Sequence, residues 1–209
     1  MGKVTKVHEQ ALTASTTEAL MAVYDDWAAN YDHDLMDNWG YSTPARVADF
    51  LKRYLTVDDA LILDAGCGTG LVGTALVANG LSRLEGLDVS QSMLHEAAKK
   101  AIYTQLHCAD MNQPLPLASA SFDGVTCVGT FTSAHVRPEA LRELLRLTRP
   151  GGVVCFSVRT EYWEATKFRG LLTGMDSAGE VILEELRTEP YVDSEASWCK
   201  LVVLRVPLR

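Results

Sequence analysis

The 209-residue sequence has no apolar stretch long enough to span a bilayer, and its opening MGKVTKVHEQ lacks the apolar core of a signal peptide. Lys6 stands where an N-myristoylation signal requires Ser or Thr. No CxxC pair occurs among Cys67, Cys108, Cys127, Cys155 and Cys199. An odd, scattered set of thiols argues against a disulfide framework and suits a reducing cytoplasm, most acting as small buried apolar side chains. The histidines are equally dispersed, and no metal site is outlined. Basic residues are in deficit, 19 Lys and Arg against 27 Asp and Glu, for a formal net charge of −8. An acidic chain without a basic run repels phosphate backbones and anionic lipid, so neither nucleic acid nor a membrane surface is an expected partner. Internal repeats and low-complexity linkers are also missing.

What remains is a chain that is 47% hydrophobic, enough for a sizeable core. One compact domain is expected, with residues 1–56 forming N-terminal helices and residues 57–209 the core. In the first part, Leu20, Tyr24, Trp27 and Tyr31 recur at helical spacing as one aromatic stripe. Pro44 opens a second helix with Val47, Phe50, Leu51 and Tyr54 on its inner side.

From Leu61 onward, short apolar runs alternate with helix-period segments, the pattern of a parallel sheet covered on both faces. Strands are expected at 61–63, 84–87, 103–108, 124–128 and 153–158. Helices follow Gly70, Ser90 and Pro138, the last reaching Thr148 and stopped by Pro150-Gly151-Gly152. Two further runs, 181–186 and 201–206, have no helix between them, so they are expected to pair antiparallel.

The strongest chemical signal is Ile62-Leu63-Asp64-Ala65-Gly66-Cys67-Gly68-Thr69-Gly70, a strand entering a turn with glycines at alternate positions. Such a turn lets a ligand approach the backbone without a Cβ in the way. Asp88 ends the next strand, roughly 20 residues beyond the turn, where a carboxylate can accept both hydroxyl hydrogens of a ribose. A nicotinamide dinucleotide would want GxGxxG, but Leu71 stands where its last glycine belongs.

DAGCGTG followed by GLDVS resembles the class I S-adenosylmethionine (SAM)-dependent methyltransferases, over a span from about Tyr24 to the C-terminus. The opening Tyr24-Asp25-Asp26-Trp27-Ala28-Ala29-Asn30-Tyr31-Asp32 is similar to the methyltransferase type 11/25 kind, in particular to the Williams–Beuren syndrome region methyltransferase-like proteins. The resemblance implies an α/β, three-layer Rossmann-like fold, with a seven-stranded, mostly parallel sheet and an antiparallel last strand. It implies that Asp64, Gly66, Gly68 and Gly70 hold the methionine end of SAM and Asp88 the ribose. Val89 and Met93 would lie near the adenine, and Asp110 and Met111, in Cys108-Ala109-Asp110-Met111, would meet its amino group and a ring nitrogen. Trp27 and Tyr31 would act as lid residues, although an amphipathic helix packed on the core explains the same stripe.

Methyltransferases place the reacting atom after the fourth strand. Amino-group methylation of nucleic acid and of some proteins uses an NPPY-like tetrad there, and this chain has Val128-Gly129-Thr130-Phe131 instead. Gly129 is placed against the cofactor. His135 is the candidate general base, with a structural or helix-start histidine as the alternative. Glu161, Tyr162 and Trp163 either line an acceptor pocket or cap the core. The expected function is methyl transfer from SAM to a small-molecule acceptor, leaving S-adenosylhomocysteine (SAH), by a monomer or weak homodimer. A SAM-binding module without turnover and a protein-directed methyltransferase are the alternatives.

Overall fold

A computed structural model describes residues 16–132, 136–192 and 197–208, together with Val7, Gln10, Ala11, Thr13 and Ala14. Seven strands form one sheet: β1 (Leu61–Ala65), β2 (Arg83–Asp88), β3 (Tyr103–Cys108), β4 (Phe122–Phe131), β5 (Thr148–Arg159), β6 (Ile182–Val192) and β7 (Ser197–Arg205). Their order is β3-β2-β1-β4-β5-β7-β6. The first five run parallel, and β7 is antiparallel to both its neighbours, as the chain's last strand was expected to be. Because β1 and β4 lie inside the sheet with both faces covered, their burial is near-continuous rather than alternating.

Helices α1 (Thr17–His33), α2 (Thr43–Tyr54) and α3 (Leu71–Ala78) precede β2, and α4 (Gln91–Lys99) precedes β3. The side chain of Thr16 caps α1, and that of Ser90 caps α4 by accepting from the Met93 amide at 3.3 Å. A wider helical turn, Asp34–Asn38, extends α1 and buries Asp34, which accepts from the Trp27 indole at 2.8 Å. One core gathers Val47, Leu51, Ile62, Leu76, Cys155 and Leu201 beneath α2 and α3. On the other face, Leu63, Val125, Phe131, Leu144, Phe156 and Phe168 pack beneath α5 (Leu141–Leu147) and α7 (Phe168–Ser177). The three layers follow from that division.

Two sequence expectations need correction. The helix at Pro138 ends at Leu147, because Thr148 is already extended and pairs with Phe122 as the first residue of β5. Pro150-Gly151-Gly152 therefore lies inside a strand, where the Gly151 amide donates to Val206 O at 2.8 Å. Between β5 and β6 the chain also forms α6 (Thr160–Ala165) and α7, which the sequence reading did not separate. Arg149 ties this corner to β4 through Asp123 at 2.7 Å, and Asp123 also accepts from the Leu61 amide at 2.8 Å.

Candidate cofactor and acceptor site

At the C-terminal ends of β1, β2 and β4 the glycine turn folds back over the sheet. Gly66 and Cys67 donate their amides to Leu87 O at 2.6 and 2.9 Å, so the turn leaves β1 and leans on β2. Gly66, Gly68 and Gly70 have φ of +73°, +54° and +93°, the left-handed region that favours glycine. A Cβ on Gly66 would stand 2.6 Å from Thr130 Cγ2, whereas one on Gly68 would meet nothing within 4 Å. Gly68 thus presents bare backbone to open space, a cradle that a ligand can fill.

Asp88 is fixed on both oxygens. Gly68 N donates to Oδ2 at 2.8 Å and Ser90 N to Oδ1 at 2.9 Å. A carboxylate can accept about four hydrogen bonds, so each oxygen retains acceptor capacity for a ligand. Burial raises its pKa from the ordinary value, against the pull of those amide bonds.

Around Asp88 lies a cavity with about 720 Å³ of atom-free space, counting its solvent-open mouth. It is lined by Gly66 and Gly68 from the turn, by Val89 and Met93 after β2, and by Asp110 and Met111 after β3. Gly129 and Thr130 from β4 and Leu20, Tyr24 and Tyr31 from α1 complete it. Ten residues expected at the site, Tyr31, Gly66, Gly68, Asp88, Val89, Met93, Asp110, Met111 and Gly129 on its wall and Asp64 behind the turn, are therefore gathered at one end of the sheet. Tyr24 and Thr130 were missing from that set; the stripe at 20, 24 and 31 carried the signal for the first.

Asp64 is fully buried and does not line the cavity. It accepts from the Tyr103 hydroxyl at 2.7 Å and from Thr126 at 3.0 Å, and burial pushes its carboxyl up to about 6. Gly70 begins α3, and a Cβ there would press on the Tyr103 ring at 3.1 Å. Trp27 lines a second, smaller chamber that shares Tyr24, Tyr31 and Gly129 with the first. His135 lies outside the described residues. Trp163 is buried and stacked on Phe168, with centroids 5.6 Å apart, while Tyr162 donates to Val136 O at 2.9 Å. Tyr162 and Trp163 therefore support the β5–β6 connection, and neither lines the cavity. Among the described residues, no three His, Cys, Asp or Glu side chains converge on a metal position, and no helix is long and apolar enough to cross a membrane.

Residues 63–156 match the family model described as "Methyltransferase domain". That stretch is similar to a methyltransferase domain. Over 140 residues the chain is 40% identical to human Methyltransferase-like protein 27, an alignment covering 66% of this chain and 56% of that protein. Over 100 residues it is 40% identical to the malonyl-[acyl-carrier protein] O-methyltransferase of Erwinia pyrifoliae, covering 48% and 37% respectively. A SAM-dependent methyltransferase from Methanosarcina mazei shares the fold, with a TM-score of 0.61 at 16% identity over 77% of this chain and 98% of that one. The chain spans about half the length of the curated relatives it matches. The matched stretch contains the glycine turn, Asp88, Asp110 and Gly129, so the family match and the cavity coincide.

Proposed function

We propose that this chain is a SAM-dependent methyltransferase that acts on a small-molecule acceptor. The observation that carries the reading is Asp88, clamped between the amides of Gly68 and Ser90 at the wall of a cavity beyond the C-terminal ends of the strands. The residues fit SAM: Gly68 leaves the cradle open, Asp88 retains acceptor capacity for two ribose hydroxyls, and Val89, Met93 and Met111 offer apolar walls to a purine. When bound, SAM supplies a methyl group already activated on a sulfonium.

The protein's part is to hold and align. Asp110 is fixed by accepting from Asn112 N at 2.8 Å on Oδ1, and it is assigned to the adenine amino group together with the Met111 amide. Asp64 braces the turn from behind, and Gly66, Gly68 and Gly70 shape it for the methionine end. Residues 1–56 serve as the lid over the core of residues 57–209, with Tyr31 closing the cofactor cavity and Trp27 the chamber beside it. Alignment of reactants supplies up to about 7–11 kcal/mol in the best intramolecular reactions, and a closed lid keeps water out.

The Erwinia relative is named as an O-methyltransferase, which supports oxygen as the acceptor atom. A hydroxyl acceptor needs a base, and His135 is assigned that role. Five unpaired thiols fit the cytoplasm as the proposed location. A monomer or weak homodimer is the proposed state.

Calorimetric titration with SAM and with SAH tests the reading directly. Micromolar binding, weakened at least about tenfold by Asp88→Ala, is expected, equivalent to about 1.4 kcal/mol. A folded protein that binds neither compound overturns it.

A further inference from the structure

The second chamber has about 430 Å³ of atom-free space, its solvent-open part included, and Tyr24, Tyr31 and Gly129 belong to its wall as well as to that of the cofactor cavity. Trp27, Trp39 and Tyr191 add three more aromatic rings, beside Ala11, Leu35, Thr132 and Val192. Trp27 meets Tyr31 edge to face at 4.7 Å and 65°, and Trp39 lies tilted against Trp27 at 5.9 Å and 60°. Such walls present both ring faces and ring edges, the surfaces against which a flat aromatic molecule packs best.

No charged side chain is among the described residues that line the chamber. A charged ligand would lose hydration and meet no counterion among those lining side chains, and the nearby Arg159 guanidinium is already paired with Glu161 at 3.6 Å. An aromatic cage can also attract a cation, but here one is already present. The Arg159 guanidinium sits 5.0 Å from the Tyr191 ring centroid, and its charge opposes a second cation at that ring.

The polar groups on offer are hydroxyls, and two of them converge on the boundary between the chambers. A Cβ on Gly129 would stand 2.8 Å from Tyr41 Oη and 3.1 Å from Tyr191 Oη. Burial raises both phenols above their ordinary pKa, so each remains protonated near neutrality. The Tyr191 hydroxyl therefore stands at the boundary with the cofactor cavity.

We propose that this chamber takes the methyl acceptor and selects an uncharged, flat aromatic molecule whose hydroxyl is met by Tyr191. This rests on the methyltransferase reading. Transfer to such a hydroxyl forms an O–CH3 bond as the S–CH3 bond breaks, the bonding pair stays with sulfur, and the hydroxyl proton leaves to the base assigned above. Tyr191, which belongs to β6 and lies outside residues 63–156, is then a positioning and specificity residue.

The test is calorimetry on the full chain, first with SAH, then with four probes added to the SAH-loaded protein. 2-Naphthol is expected to bind at least about tenfold tighter than its saturated analogue 2-decalol, than 2-naphthoate and than benzyltrimethylammonium. Tyr191→Phe, which keeps the ring, is expected to weaken 2-naphthol about fivefold, the worth of one hydrogen bond, and to leave naphthalene unchanged. Tighter binding of the aliphatic, anionic or cationic probe overturns the proposal, as does a Tyr191→Phe variant that binds 2-naphthol normally. SAH binding without 2-naphthol binding overturns the acceptor assignment alone. If 2-naphthol binds and SAH does not, the methyltransferase reading falls and takes the acceptor role with it.

Discussion

Asp32, in the last turn of α1, meets Lys100 just beyond α4 with carboxylate and ammonium 2.5 Å apart. The same carboxylate accepts the hydroxyl of Thr69 in the glycine turn, and Lys100 donates to the Thr69 carbonyl at 2.6 Å. Three groups distant in sequence thus hook the end of α1 onto the glycine turn. Both charged side chains are partly exposed, and a surface ion pair contributes only about 0–1 kcal/mol to stability.

Asp32→Ala is therefore expected to loosen α1 rather than the whole fold. Amide hydrogen exchange should quicken within Thr17–His33 while β1 and β4 stay protected, and SAH affinity should fall about threefold to tenfold. Uniform loss of protection across the sheet would place Asp32 among the residues that hold the whole molecule together.

Two neighbouring glycines should separate stability from binding. Alanine at either position adopts a left-handed conformation, costing about 1–2 kcal/mol. Gly66→Ala must in addition displace Thr130, whose side chain would lie 2.6 Å away, and press on Met111 at 3.2 Å. Its melting temperature should drop further than that of Gly68→Ala, where each further 1 kcal/mol is worth about 2–4 °C in a protein of this size. Gly68→Ala meets open space, so its methyl group should cost SAH affinity at least about tenfold with a smaller thermal effect. Equal shifts in both measurements for both variants would contradict the geometry.

The buried carboxyl of Asp64 gives a pH dependence with a definite sign. Burial raises it from 3.8 to about 6, more than the hydrogen bonds from Tyr103 and Thr126 lower it. The protonated side chain is the form that the folded state favours. Its contribution is complete below about pH 4 and is lost as pH rises through about 6. Asp64→Asn cannot titrate, so the urea stability of the parent protein minus that of the variant should fall by on the order of 2–3 kcal/mol from pH 4 to pH 7. A difference that rises with pH would mean that the hydrogen bonds dominate.

The parts legible in the sequence are those encoded locally. Asp88 and the glycine turn sit at the ends of neighbouring strands, and the turn's own spacing announces a backbone left bare. The stripe of Leu20, Tyr24 and Tyr31 reads as one helix face because its period is the helix period. Phe168, Leu172 and Met175 are spaced as a buried helix face too, yet Gly170 and Gly174 dilute the helical signal of α7. Pro150 and its two glycines read as a helix stop, and only their pairing with Val206 reveals a strand. Tyr103 and Asp64, or Trp39 and Tyr191, share no local pattern. Their meeting depends on strand order and on how the N-terminal helices pack, and neither is written in a run of adjacent residues.

Strand order also sets a timetable. Of the seven strands, β7 is the last to leave the ribosome, yet it occupies an inner place and is the neighbour through which β6 joins the sheet. Tyr191 rides on β6, so the aromatic chamber lacks a wall until β7 has threaded between β5 and β6. A nascent chain can assemble its glycine turn and Asp88 long before it can recognise an acceptor, and the two halves of the site mature in the order in which they are translated.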